Sequence, residues 1–333
     1  MRPLSILSFI LLFFACKNEQ KPEAQQFGKT GDPKIDGLTE QIFKTPTVAD
    51  LYFQRAQLFF KSGNSGFDFA IKDMQYAMSI DSTNLPYYHF LSDVYLKYAQ
   101  SRLAVATMEQ AAAVAPTQIP TLLKLSEVYL ITKQYGAALV TLDKIQKQDP
   151  QNSDAYFLVG MILKEQNDTE RAIKAFQKSA DLNSDNKDAF IELGKLYTDK
   201  NDPIALKYFD NALLLDSLDF NAMIGKGYYF QTKKQTNEAI NVYKDILSHN
   251  PRYDIALFNL GLIYMDADSL DKANSHFNMV IQETPTFYKA YYFRGFVAEK
   301  KGDKNTALQN YKQALAFKSD YVKALEGIKR IDN

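Results

Sequence analysis

Apolar and polar positions alternate along this chain with a helical period, and the helical pattern itself recurs. Alanine stands at Ala70, Ala104, Ala138, Ala172, Ala205, Ala239, Ala273 and Ala307, spaced by 34 residues with one slip of a single residue. Eleven to fourteen residues before each lies a small side chain: Ala56, Ser92, Ser126, Gly160, Gly194, Gly227, Gly261 and Gly295. Self-similarity at such a period marks stacked supersecondary units, each burying its apolar face against its neighbours. The stretch from Ser153 to Asn186 illustrates the unit. Tyr156, Val159, Gly160 and Leu163 share one face of a first helix, and Asn167-Asp168 marks a turn in which Asp168 can cap the next helix. A second helix then places Ala172, Ile173, Phe176 and Ser179 or Ala180 inward. Pro203 fits the first position of a helix, where its missing N–H costs nothing. Pro116, Pro150, Pro251 and Pro285 close other units, because proline stops the helix before it.

An interior glycine costs a helix about 1 kcal/mol relative to alanine. Repeated acceptance of that cost at the eighth position predicts a close crossing of two helices, with the alanine of the second opposite the small residue of the first and large side chains filling the flanks. On this pattern the chain is all-α, with units at 49–84, 85–118, 119–152, 153–186, 187–219, 220–253, 254–287 and 288–321. Residues 35–48 precede them as a short capping segment, with Ile35, Leu38, Ile42 and Phe43 at helical spacing. Residues 322–333 follow as a capping helix, with Val322, Leu325, Ile328 and Ile331 on one face.

The small residue, the tyrosine three on (Tyr95, Tyr129, Tyr197, Tyr264), the alanine, the aromatic four after it (Phe176, Phe209, Tyr243, Phe277, Tyr311) and the closing proline together resemble the tetratricopeptide repeat. The resemblance covers Ala49 to Tyr321 and implies a right-handed α-solenoid of about eight helix pairs. Departures are local: Leu122, Met223 and Leu257 replace the large first aromatic, the first unit carries two extra residues around Gly63-Asn64-Ser65-Gly66, and the fifth lacks one.

In that family the concave face is lined by the first helix of each repeat. Its fifth and ninth positions fall here on Phe53 and Gln57, His89 and Asp93, Leu123 and Glu127, Phe157 and Met161, Ile191 and Lys195, Ile224 and Tyr228, Phe258 and Leu262, and Tyr292 and Phe296. The lysine and asparagine pattern with which chaperone-binding members clamp a C-terminal carboxylate is missing. The apolar set Phe157, Met161, Ile224, Tyr228, Phe258, Leu262, Tyr292 and Phe296 suits a groove that takes a partner's peptide segment by hydrophobic anchors. The alternative is that these side chains pack between successive first helices.

The totals narrow the function. Lys plus Arg (39) balances Asp plus Glu (39), and no basic run occurs, which argues against nucleic acid as partner. Aromatic residues are many, with 21 Tyr and 23 Phe, and suit rings packed beside small residues. His89, His249 and His276 lie in different units without a second ligand at metal spacing, so no metal or other cofactor is expected. Gly225-Lys226-Gly227 lacks the strand–turn–helix setting of a nucleotide loop and reads as repeat packing. With nearly the whole chain taken up by repeats, an enzyme is not expected.

The single cysteine, Cys16, closes an apolar run from Leu4 to Phe14 that follows Arg2. That run has the length of a signal-peptide core and is too short to span a bilayer. Leu12-Phe13-Phe14-Ala15-Cys16 resembles a bacterial lipobox, with Phe13 where leucine is usual. The resemblance implies cleavage after residue 15 and acylation of Cys16; an ordinary secretory signal, or a core-like helix with an incidental cysteine, is the alternative. Lys17, rather than an aspartate, follows the cysteine, which in that family directs the protein to the outer membrane. Residues 16–34 are polar, carry Gly and Pro, and read as a tether with a reach of roughly 20–25 Å. The expected function is a non-catalytic scaffold anchored in the cell envelope and binding a protein partner. A receptor for a glycan or small apolar ligand, or a structural subunit of an assembly complex, are the alternatives.

Overall fold

The structure, a computed structural model, describes residues 30–332. The signal segment, Cys16 and most of the tether lie outside the described residues. Within them the chain is helical and contains no strand. The helices are α1 (Pro33–Lys44), α2 (Ala49–Lys61), α3 (Phe67–Ile80), α4 (Leu85–Lys97), α5 (Ser101–Val114), α6 (Ile119–Ile131), α7 (Tyr135–Gln148), α8 (Ser153–Glu165), α9 (Thr169–Leu182), α10 (Lys187–Asp199), α11 (Ile204–Leu215), α12 (Phe220–Thr232), α13 (Thr236–His249), α14 (Asp254–Asp266), α15 (Leu270–Glu283), α16 (Tyr288–Lys300), α17 (Lys304–Phe317) and α18 (Val322–Asp332). They form two compact units, one ending at Thr141 and the other beginning at Leu142, inside α7. In each unit a first helix pairs with the second helix that follows it, and each pair packs on the next as a solenoid. No described helix is long and apolar enough to cross a membrane.

From the second pair onward the turn within each pair is the same device repeated. Ala99, Lys133, Asn167, Asn201, Lys234 and Asp268 have positive φ, and Gly302 occupies the equivalent place in the last pair. The next backbone N–H reaches back to a carbonyl five residues earlier, as in Gln100 N to Tyr95 O (2.7 Å) and Ser269 N to Tyr264 O (2.8 Å). This Schellman closure satisfies carbonyls that the first helix leaves open. In two of the pairs the residue that donates this bond also caps the second helix with its side chain: Asp168 accepts from Arg171 N and Asp303 from Thr306 N. Pro203 sits one residue before α11, as its N-cap, rather than inside its first turn. The helices preceding Pro116, Pro150, Pro251 and Pro285 all end two residues earlier.

All eight periodic alanines are fully buried. Where the small residue is glycine, however, what lies against it is the ring four positions beyond the alanine, not the alanine. A Cβ built on Gly160 would stand 2.7 Å from Phe176, on Gly194 2.6 Å from Phe209, on Gly227 2.5 Å from Tyr243, and on Gly261 2.6 Å from Phe277. A ring is broader than a methyl group and reaches the crossing first. Gly225-Lys226-Gly227 is thereby explained: Gly225 faces Phe209 of the preceding pair while Gly227 faces Tyr243 of its own. In the first pair the two extra residues form a 3-10 turn, Gly63–Gly66. There a Cβ on Gly66 would overlap the carbonyl of Phe59.

The outer helices also differ from expectation. In α1, Ile35 and Ile42 are buried but Phe43 is exposed. In α18 the inward face consists of Ala324, Gly327, Ile328 and Ile331, and Val322 and Leu325 point outward. The reason is again a ring: a Cβ on Gly327 would be 2.5 Å from Tyr311, so α18 turns its smallest side chains toward α17.

Candidate protein-interaction surface

The fifth and ninth positions of the first helices provide the candidate surface, and the two units differ in chemistry there. In the first unit it is largely polar. His89 Nε2 lies 3.1 Å from Thr121 Oγ1, and Lys124 Nζ bridges Asp93 (2.8 Å) and Glu127 (3.6 Å). Partial burial, reinforced by Lys124, holds the His89 imidazole below its ordinary pKa.

In the second unit the eight predicted anchors separate into two groups. Phe258 and Tyr292 are buried, at 9% and 8% exposure, and are core residues rather than groove anchors. Phe258 is ringed by Phe287 (5.1 Å), Phe293 (5.6 Å) and Phe277 (5.8 Å). Tyr292 packs on Tyr321 (5.4 Å) and Tyr311 (5.6 Å). Position along a helix states which face a side chain shares, and here the aromatic at the next helix entry covers that face. Phe157, Met161, Ile224, Leu262 and Phe296 are half-buried, each resting its inner side on a core cluster. Tyr228 is 51% exposed, the most open apolar ring of the set.

A charged cluster that the sequence reading did not single out lies beside them. Glu192 of α10 accepts from Lys164 of α8 (2.5 Å) and from Lys195 (2.7 Å). Burial opposes its ionisation, but the two ammonium donors prevail and hold the carboxyl below its ordinary value. Two cations on one acid leave a net positive charge beside Phe157 and Met161. The signal was available in register, since Lys164 and Glu192 lie 28 residues apart on neighbouring first helices. Among the described residues no group of three or more His, Cys, Asp or Glu is placed to hold a metal ion. His276 Nδ1 bonds its own helix at Lys272 O, and His249 lies 3.7 Å from Asp245.

The profile of the tetratricopeptide repeat matches residues 153–186 and 288–321, and a second profile of the same repeat matches 224–286. The chain carries tetratricopeptide repeats. A tetratricopeptide repeat protein from Parabacteroides merdae superimposes with a TM-score of 0.60 at 17% identity, over 75% of this chain and 99% of that one. A chain of the APC/C hetero-tetramer Cut9-Hcn1 gives a TM-score of 0.60 at 18% identity, over 90% of this chain and 58% of that one. At such identities the likeness concerns the fold alone. In sequence, the BBSome complex member BBS4 of Bos taurus is 34% identical over 117 residues, which span 33% of this chain and 22% of that protein. Tetratricopeptide arrays are typically non-catalytic scaffolds that bind protein partners.

Proposed function

We propose that this chain is an acyl-anchored scaffold of the cell envelope that holds a peptide segment of a protein partner against the first-helix face of its second unit. The observation that carries the reading is Tyr228: a half-exposed ring at the ninth position of α12, one turn beyond half-buried Ile224. Half-buried Phe157, Met161, Leu262 and Phe296 extend the apolar stripe, and Lys164 and Lys195 add positive charge to it. Such a stripe favours an extended or helical segment with apolar anchors and an acidic neighbour. The anchor rests on the lipobox-like run ending at Cys16, and the outer membrane on Lys17. A single acyl chain binds a membrane only marginally, so durable attachment calls for more than one.

A photo-crosslinking residue at Tyr228 tests the groove in intact cells, with one at Lys312 of α17 as the control. Crosslinks to one discrete protein from Tyr228 alone, lost on Phe296→Ala, support the reading. Equal labelling from both sites defeats it. Cys16→Ser tests the anchor separately: the protein should leave the membrane pellet, and its retention there would refute acylation.

A further inference from the structure

Arg294 is the seventh residue of α16 and sits with its guanidinium between α15 and α17. Nη1 donates to Asn278 Oδ1 (2.7 Å) and Nε to Asn310 Oδ1 (2.7 Å). The Asn310 amide is oriented by its own bond from Nδ2 to Thr306 O (2.8 Å), which turns its accepting oxygen toward the arginine. The ring of Tyr291 lies 5.4 Å below. No carboxylate pairs with this half-buried cation, and Nη2 has no hydrogen-bond partner among the described residues. Burial pulls its pKa down, as expected of a cation without a counter-charge.

The same chain contains the completed version of this arrangement. Arg55 is the seventh residue of α2, and the ring of Tyr52 lies 5.9 Å from it, as Tyr291 does for Arg294. Its Nη1 donates to Thr39 of α1 (3.0 Å), as that of Arg294 does to the helix before it. Its Nε and Nη2 both bond Asp73, at 2.8 and 2.6 Å. Asp73 and Asn310 each lie three residues after the periodic alanine, so they are register equivalents. The difference in charge is that a carboxylate has become an amide, and the bond missing at Arg294 is the Nη2 bond that Asp73 provides at Arg55.

We propose that the seam between α15 and α17 is a recognition site for a carboxylate supplied from outside the chain, received by Arg294 Nη2. Nη2 shares the guanidinium charge and can donate a charge-assisted hydrogen bond to a carboxylate, which partial desolvation strengthens. The site lies on the second-helix side of the array and does not depend on the groove at Tyr228. Its ligand is a free small carboxylate or the acidic side chain of a protein.

Melting of the full chain is followed while acetate is titrated at constant ionic strength, for the wild type, Asn310→Asp and Arg294→Leu. The first variant gives the arginine an internal carboxylate, and the second removes the cation. Acetate should raise the wild-type melting temperature by on the order of 1–3 °C and leave both variants unmoved. A blocked peptide with one glutamate among neutral residues, compared with its glutamine counterpart, identifies the source. Saturation by the glutamate peptide at lower concentration than acetate assigns the site to a protein side chain; equal or weaker response assigns it to a small anion. The same acetate response in all three proteins would overturn the proposal.

Discussion

Gly160 lies flat against the ring of Phe176, so close that a single added carbon would stand 2.7 Å from two of its atoms. The sizes at these two register positions vary together along the chain. Where the first-helix residue is Ala56 or Ser92, the side chain four after the alanine is the slimmer Met74 or Met108. From Gly160 onward it is a ring. Gly160→Leu should therefore lower stability by about 1–3 kcal/mol despite the better helix propensity of leucine. Gly37, also inside a helix, has open space around it, and Gly37→Ala should raise stability by about 1 kcal/mol. Opposite signs for the two substitutions in urea titrations would verify the packing; equal signs would refute it.

The left-handed residue in each turn offers a stabilising change. Ala99 adopts φ 58° at a place where Gly302, in the last pair, adopts φ 81°. An L-residue pays about 1–2 kcal/mol for that conformation, and glycine gives back part of the gain in the unfolded chain. Ala99→Gly should gain about 0.5–1 kcal/mol, and Ala99→Val should lose stability, both readable from thermal melts.

Arg55 and Asp73 form a bidentate pair with almost no solvent contact, at 3% and 1% side-chain exposure. Removing one partner strands a buried charge. Asp73→Ala should cost about 3–5 kcal/mol, and Arg55→Met combined with Asp73→Leu should recover most of that loss. A double substitution no better than the single one would show that the pair contributes more than mutual neutralisation.

The turn, the period and the buried alanines were legible because each follows from a local rule: a helix stops at its capping residues, and a crossing admits only small side chains. What covers a face was not legible. Phe258 and Ile224 hold equivalent positions, yet Phe293 closes over the first, and the second has Asn259 at the matching place in the next first helix. The rotation of α18 hinges on Gly327 meeting Tyr311, two residues whose proximity no spacing within α18 reveals. The charge on the candidate surface was missed for a similar reason: Lys164 and Glu192 come together only when neighbouring first helices are laid side by side.

Glu192 makes stability depend on pH in a defined direction. Its carboxyl is held below the ordinary value in the folded chain by Lys164 and Lys195 against the effect of burial. A depressed folded value means that the contribution is complete above the unfolded pKa of about 4.3 and is lost as pH falls through the lower folded value. Glu192→Gln should thus be less stable than wild type near neutrality, with the gap closing below about pH 4. A gap unchanged down to about pH 3 would show that the lysines do not set the ionisation.

Within the second unit each helix packs on the helix that follows it, and successive first helices also touch one another, as α10 does α12. Damage to one pair consequently stays in its neighbourhood. Amide exchange there should fade by stages from the ends of the unit inward, and a lesion near α18 should leave the protons of α10 almost as slow as before. Such a molecule ages from its tips, and its interior keeps working while the outermost turns fray.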